Sequence, residues 1–573
     1  MERGNNMKTI ILFLIFCSLF QISFSQQQNN PVQISGDFGL YGDFYHMESD
    51  TPGAVAPRRP ASLERLVVNA SLNIKDFSIP VSMAIANNQF SVVVPNPPTI
   101  PNNPFENFKN LVTNPLNRIG IAPKYKWAQL LLGSQIPQYS ELSVGDLSVF
   151  GIGVNLTPGK FRFSFFEGTS QNAIEQDTLN NIKGAYKRKI YSMKIGYGSE
   201  DSSHIYFVES MMKDDTASLV YKPDSLMPQA GILSDIDFRI NLGKKSFIKG
   251  EVAGSMFTRD MRNNNIDKYG NSIPKEIYTP KESTRLDDAS VLSIGADGKS
   301  FGIKATGRYI GDGFVPLGYP FMQTDRLEVT IDPHLNLYEN KLQLSGSIGR
   351  RVNNLSEERG TTSTQTLGMI NLNAQLTEKL SLSANYTNFG FRNAIVSDTF
   401  KVEMLTVSWS VSPVYNIITK TTMQNFMLMY SQNTFNDYNT VSGALNNNDA
   451  ANAVFSYIFS MINKPFSAST LLSYFDNATS FGRLTTKSLN LTAGYKFFKK
   501  KLSPTAGLTI ADNRINSGSS GYQVMTVLGA KYTWKKKINF GLNGSVNLFK
   551  YGNTNPGISY REDLLRTFIT YKL

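Results

Sequence analysis

Phe150 to Glu167 reads F-G-I-G-V-N-L-T-P-G-K-F-R-F-S-F-F-E, and this stretch limits the folds open to the whole chain. Ile152, Val154 and Leu156 alternate with Gly151, Gly153 and Asn155. After Thr157-Pro158-Gly159-Lys160, Phe161, Phe163 and Phe165 alternate with Arg162 and Ser164. A period of two on both sides of a Pro-Gly turn specifies a β-hairpin with one apolar face and one small or polar face. The unit recurs roughly a dozen times along the chain. Hairpins repeated with the apolar side turned outward predict an all-β fold, a transmembrane antiparallel up-and-down β-barrel.

The later hairpins keep the scheme. Leu66 to Ile74 turns at Lys75-Asp76 into Phe77 to Ile85. Further tight turns fall at Gly243-Lys244-Lys245, Asp297-Gly298-Lys299, Glu339-Asn340-Lys341, Lys499-Lys500-Lys501 and Lys535-Lys536-Lys537. The tally is about 26 strands, an even number as single-chain bacterial barrels require. Short turns, mostly carrying lysine, alternate with connections of roughly ten to thirty residues, as periplasmic turns alternate with extracellular loops. Both termini then fall on the periplasmic side. Trp127, Trp534, Tyr338, Phe497 and Phe498 flank short turns, where an interfacial aromatic girdle belongs. A β-propeller would repeat a motif every ~40 residues, and none is present.

Composition supplies the address. A chain of 573 residues has room for two to four globular domains, but no linker divides this one. Hydrophobic residues make up 41% and charged ones 18%, with a mean hydropathy of -0.22. No run beyond the N-terminus reaches the ~18 apolar residues of a spanning helix, so a membrane crossing must use strands. Arg3 and Lys8 precede the apolar run Ile10 to Phe20, and Ser23-Phe24-Ser25 offers a small-x-small cleavage site. These features predict a signal peptide over 1–25 and a single barrel domain over 26–573. The one cysteine, Cys17, lies inside the signal, leaving no disulfide framework. The net charge of +12 resides largely in turn lysines. It is read as contact with anionic outer-membrane lipid and lipopolysaccharide rather than with nucleic acid.

Three segments carry a resemblance: G-I-A-P-K-Y-K-W (120–127), L-L-L-G-S-Q (130–135) and F-G-I-G-V-N-L-T-P-G-K-F-R-F (150–163). A second patch joins L-G-Y-P-F-M-Q-T-D-R (317–326) to Y-E-N-K-L-Q-L-S-G-S (338–347). The chain resembles uncharacterised Bacteroidota outer-membrane β-barrel proteins and, more weakly, the type IX secretion translocon barrel. The resemblance implies location and fold; it brings no substrate and no catalytic residues.

The residues themselves point away from an enzyme. His46, His204 and His334 are scattered, and neither Gly-x-Ser-x-Gly nor His-Glu-x-x-His occurs. Gly159-Lys160 lacks the first glycine and the Ser/Thr of a phosphate-binding loop. No cofactor is expected. Strand alternation turns Asp235, Asp237, Arg239, Lys249, Glu251, Arg326, Glu328 and Asp332 inward as lumen-lining candidates. Towards the C-terminus the inward positions become neutral, as at Ser381, Ser383, Asn385, Ser408, Ser410, Asn539, Asn543 and Ser545. Such rows suit a wetted wall and could also hold sugars or peptides.

Barrels of 16–18 strands already leave an aqueous channel. A lumen of about 26 strands is therefore expected to be filled by loops or by a surface or periplasmic partner protein. Asn87–Asn117, with six prolines, and Phe257–Asp288, dense in charge, are the expected plugs. Two functions remain open: a channel or secretion pore for a polar solute or polypeptide, and a scaffold that docks a partner and transports nothing.

Overall fold

The computed structural model describes residues 32–51, 53–86, 117–179, 181–266, 277–319, 321–395, 397, 400–552 and 557–573. The expected signal peptide and all of Asn87–Asn117 except Asn117 lie outside these residues. Each strand pairs antiparallel with its neighbours in sequence, and the sheet closes on itself. Val32–Ser49 pairs with Ser62–Ile74 on one side and with Tyr560–Lys572 on the other. The 27 ladder segments make 26 strands, because Arg118–Ile121 and Lys124–Tyr125 share both neighbours and keep one register. Pro123 breaks that ladder because it has no N–H to donate. The chain is thus an antiparallel transmembrane barrel of 26 strands. Closure leaves no edge and pairs the backbone within the sheet, which is what hydrocarbon demands of a strand that crosses it.

Outer positions are apolar and uncovered by protein: Ile152 is 51% exposed, Ile205 58%, Val252 54% and Leu542 52%. At the end that holds Val32 and Lys572 the connections are short, and several place lysine in left-handed backbone. Lys75 has φ 51°, Lys535 48° and Lys536 61°. That conformation costs a non-glycine residue on the order of 1 kcal/mol, a strain the two paired strands must hold. Trp127, Tyr338, Phe498 and Trp534 sit exposed beside these turns.

The opposite end departs from the expected run of long loops in two places. Phe466–Thr479 joins Gly482–Tyr495 through Ser480-Phe481, and Leu502–Ile515 joins Gly518–Trp534 through Asn516-Ser517. Asn516 (φ 49°) and Ser517 (φ 68°) are both left-handed, the primed turn that matches strand twist. Neither pair contains glycine itself; Gly482 and Gly518 open the strands that follow.

Candidate functional site

Buried side chains are not spread around the barrel. They concentrate on the inward face of the strands between Ala128 and Arg326, where two connections fold against the wall. One is the segment 136–148, between Ala128–Gln135 and Val149–Leu156. The other is 311–325, between Phe301–Ile310 and Arg326–Leu337. Leu142, Phe314 and Leu317 pack on Met212, Leu233, Ala253, Ala289, Val291 and Ile310 of the wall. Tyr139 and Val144 pack on Leu131, Val149, Phe166, Ile190 and Val208. An apolar patch on a barrel's inner face is unfavourable against water, and burying one such large side chain is worth roughly 1.5–3 kcal/mol. The wall therefore recruits the loops.

Polar contacts fix the register of the docking. Glu251 accepts Leu142 N–H at 2.5 Å through Oε1 and Glu141 N–H at 3.1 Å through Oε2. Lys194 Nζ donates to Tyr139 O at 2.9 Å, and Arg308 pairs with Glu141. Ser255 Oγ accepts Val315 N–H at 2.9 Å. The two loops also hold each other. Gly318 N–H reaches Ser143 O at 2.9 Å, and Tyr319 Oη donates to Ser140 O at 2.9 Å. A Cβ on Gly318 would stand 2.4 Å from Val144 Cα, and one on Gly145 would meet the Tyr319 ring, so the approach requires glycine on both sides. Burial, with Asp146, Glu251 and Glu141 nearby, pushes the Tyr319 phenol up to about 12, so it remains a donor at neutral pH.

The charged residues picked out by strand alternation fall into two groups. Asp235 (1% exposed), Asp237 (7%), Glu251 (2%) and Arg326 (8%) lie beneath the docked loops. Asp237 and Glu251 are direct cross-strand partners. Neither oxygen of Asp235 accepts a hydrogen bond of ordinary geometry from a described residue. Arg239 and Lys249, also cross-strand partners, sit nearer the short turns; Arg239 Nε donates to Asn241 Oδ1 at 2.9 Å and its guanidinium stacks over Phe247. Glu328 pairs with Arg351 at 2.5 Å, and Asp332 pairs with Lys304 at 3.2 Å while accepting from Ser347 Oγ at 2.6 Å. The set is therefore not one site: Glu251 anchors a loop, Asp235, Asp237 and Arg326 are buried in the same sector, Glu328 and Asp332 are ion-paired, and Arg239 and Lys249 lie nearer the turns.

The expected plug at Phe257–Asp288 behaves otherwise. Tyr278 and Met261 of its described part cover outer-face positions, while at its strand-borne ends Phe257 packs on the inner cluster and Asp287 accepts Gly313 N–H from the docked segment. Tyr278 packs with Ala230, Ile232, Met256 and Met261, and its hydroxyl lies 2.5 Å from Thr258 Oγ1. Charge density was a poor guide because charges remain solvated on either side of a wall. The apolar Leu142, Val144, Phe314 and Leu317 of the two docked connections were the signal.

The other part of the lumen wall is lined by neutral side chains. A cleft of about 800 Å³ opens over the inward face of five adjacent strands, from Leu380–Asn393 to Phe466–Thr479. Asn385, Ser408 and Ser410 line it, together with Asn433, Asn452 and Asn477. Phe435 and Phe475 supply its flat apolar surfaces. Of the other neutral positions, Ser383 Oγ donates to Asn373 Oδ1 at 2.9 Å and Asn539 Nδ2 to Thr570 Oγ1 at 3.2 Å.

The three histidines do not meet. His204 stacks on Tyr206 and lies 3.4 Å from Asp237, His46 contacts Glu48, and His334 contacts Asp297. Among the described residues no group of three His, Cys, Asp or Glu side chains is placed to hold a metal ion.

No known family model and no curated protein matches the chain. Solved structures do. The chain is similar to the translocation pore of the P pilus usher PapC (9% identity, TM-score 0.38), with 94% of this chain and 100% of that one covered. A mutant of the ferric enterobactin receptor PfeA from Pseudomonas aeruginosa matches at 11% identity and TM-score 0.38, covering 94% and 80%. OccAB4 of Acinetobacter baumannii matches at 13% identity and TM-score 0.29, covering 68% and 99%.

Proposed function

We propose that the protein is a transport barrel of the outer membrane, with a polar solute or polypeptide passing along the neutral side of its lumen. The observation that carries this reading is the one-sided filling. At a strand spacing of about 4.8 Å and a tilt of about 40°, 26 strands give a circumference on the order of 160 Å. Segments 136–148 and 311–325 cover the inward face of only the strands between Ala128 and Arg326. Among the described residues, inward side chains of the later strands stay largely accessible, and few of them are buried. A polar, accessible wall is what a passage needs, and a molecule serving only as a scaffold has no use for it. The signal-peptide pattern and the Bacteroidota-like segments support the same location.

Conductance in planar bilayers tests the reading. The purified barrel is expected to carry a steady ionic current, and replacing 137–147 with a short glycine-serine linker is expected to raise it. Absence of current from both proteins, with a stoichiometric partner co-purifying in mild detergent, would replace transport by the scaffold reading.

A further inference from the structure

The cleft on the neutral wall has an order that its composition alone does not show. Cross-strand pairing aligns Asn385, Ser410, Ser431, Asn452 and Phe475 in one row across five strands. A second row directly above runs Thr387, Ser408, Asn433, Ala450 and Asn477. We propose that these two rows form a binding site for a linear, uncharged oligosaccharide lying across the strands inside the barrel.

Three features select this ligand. No charged side chain lines the cleft, so an ionic ligand would lose hydration without gaining a counter-charge. Amide side chains offer a donor and an acceptor side by side, the pattern that neighbouring sugar hydroxyls match, while Phe435 and Phe475 give flat faces for the C–H side of a pyranose ring. Among the described residues the side chains of Asn433 and Asn452 have no hydrogen-bond partner, and Asn477 Oδ1 is buried without one. Buried amide oxygens are normally satisfied, so this one calls for a donor from outside the chain. The spacing agrees too. Successive strands stand about 4.8 Å apart, close to the length of one sugar unit, so five strands present about four repeats of the same polar grip.

A peptide fits less well. Strand addition needs an open edge, and all five strands are paired on both sides. The upper margin of the cleft is fixed by the single helical turn Gly443–Asn446, held where Ser442 Oγ and Asn446 Nδ2 both donate to Asp437 at 2.7 Å.

The test is titration calorimetry of the detergent-solubilised barrel with uncharged hexamers of glucose, mannose and N-acetylglucosamine, with hexagalacturonate as the charged control. At least one neutral hexamer is expected to bind saturably at one per barrel, and hexagalacturonate is not. The paired change Asn433→Ala with Asn452→Ala should weaken binding about tenfold or more, as loss of two hydrogen-bonding groups implies. Asn539→Ala, elsewhere on the wall, should leave it unchanged. Heat-modifiable gel migration verifies that the barrel has formed. If the double variant fails to assemble, Phe475→Leu keeps the bulk but removes the flat face and should weaken binding several-fold. Failure of all three neutral hexamers to bind, indifference to these substitutions, or tighter binding of hexagalacturonate overturns the proposal. The site deepens the transport reading without depending on it: binding without conductance would keep the site and remove the passage.

Discussion

Glu251 holds two backbone N–H groups with two carboxylate oxygens, and glutamine has only one acceptor to offer. Glu251→Gln is therefore expected to turn an amide N–H₂ towards the N–H of Glu141 or Leu142 and to loosen the docking by about 1–3 kcal/mol. Limited proteolysis reads this directly: the segment 136–148 should be cut faster in the variant, and equal rates would show that the apolar contacts hold the loop unaided. Asp235 has the opposite expectation. It is buried beside Glu251 and Asp237 and gains no hydrogen bond of ordinary geometry in return. Asp235→Asn should remove repulsion and raise the temperature at which the barrel unfolds in gel-shift assays; a lower temperature would mean that the carboxylate has a partner it needs. That Asp235, Asp237 and Glu251 share a face was legible from alternation, because Asp235 and Asp237 flank Ile236 and Glu251 precedes Val252, apolar residues that must face lipid. Their burial was not legible, since it is imposed by residues about a hundred positions away in sequence, at Glu141 and Leu142.

At the scale of the strand, the inside-outside register is the quantity to test. Ile538–Tyr551 alternates Leu542, which faces out at 52% exposure, with Asn543, which pairs across to Arg566 and Gly529. An arginine facing lipid near mid-membrane costs about 2–4 kcal/mol, whereas the lumen tolerates it. Leu542→Arg should accordingly reduce assembly, measured as the heat-modifiable fraction, far more than Asn543→Arg; equal loss would place that strand in the other register. Strands were readable because lipid outside and water inside impose a strict period of two. The tight connections Ser480-Phe481 and Asn516-Ser517 were not, since the alternation of short turns with long loops led to a long loop being expected at that end. The inward loops were hidden for a related reason. Ala230–Leu242 opens on Ala230-Gly231-Ile232-Leu233, apolar on both faces in its upper part, which blurs the alternation where a second covering layer lies.

At the scale of the whole molecule, the described residues divide the barrel into a double-walled sector and a single-walled one. Hydrogen exchange should report the division. Amides in the ladders from Val149–Leu156 to Phe301–Ile310, shielded inside by docked chain, are expected to exchange more slowly than those from Leu380–Asn393 to Phe466–Thr479. Uniform protection around the ring would mean that the inner layer adds no stability. Viewed mechanically, the protein is a hoop with one stiffened arc. When the bilayer squeezes such a hoop, the braced arc keeps its curvature and the thin arc flexes, so ovalisation gathers in the strands that carry the amide rows. The two ends of those rows would then draw together or apart as the membrane's lateral pressure changes, making the grip on anything lying across them sensitive to tension.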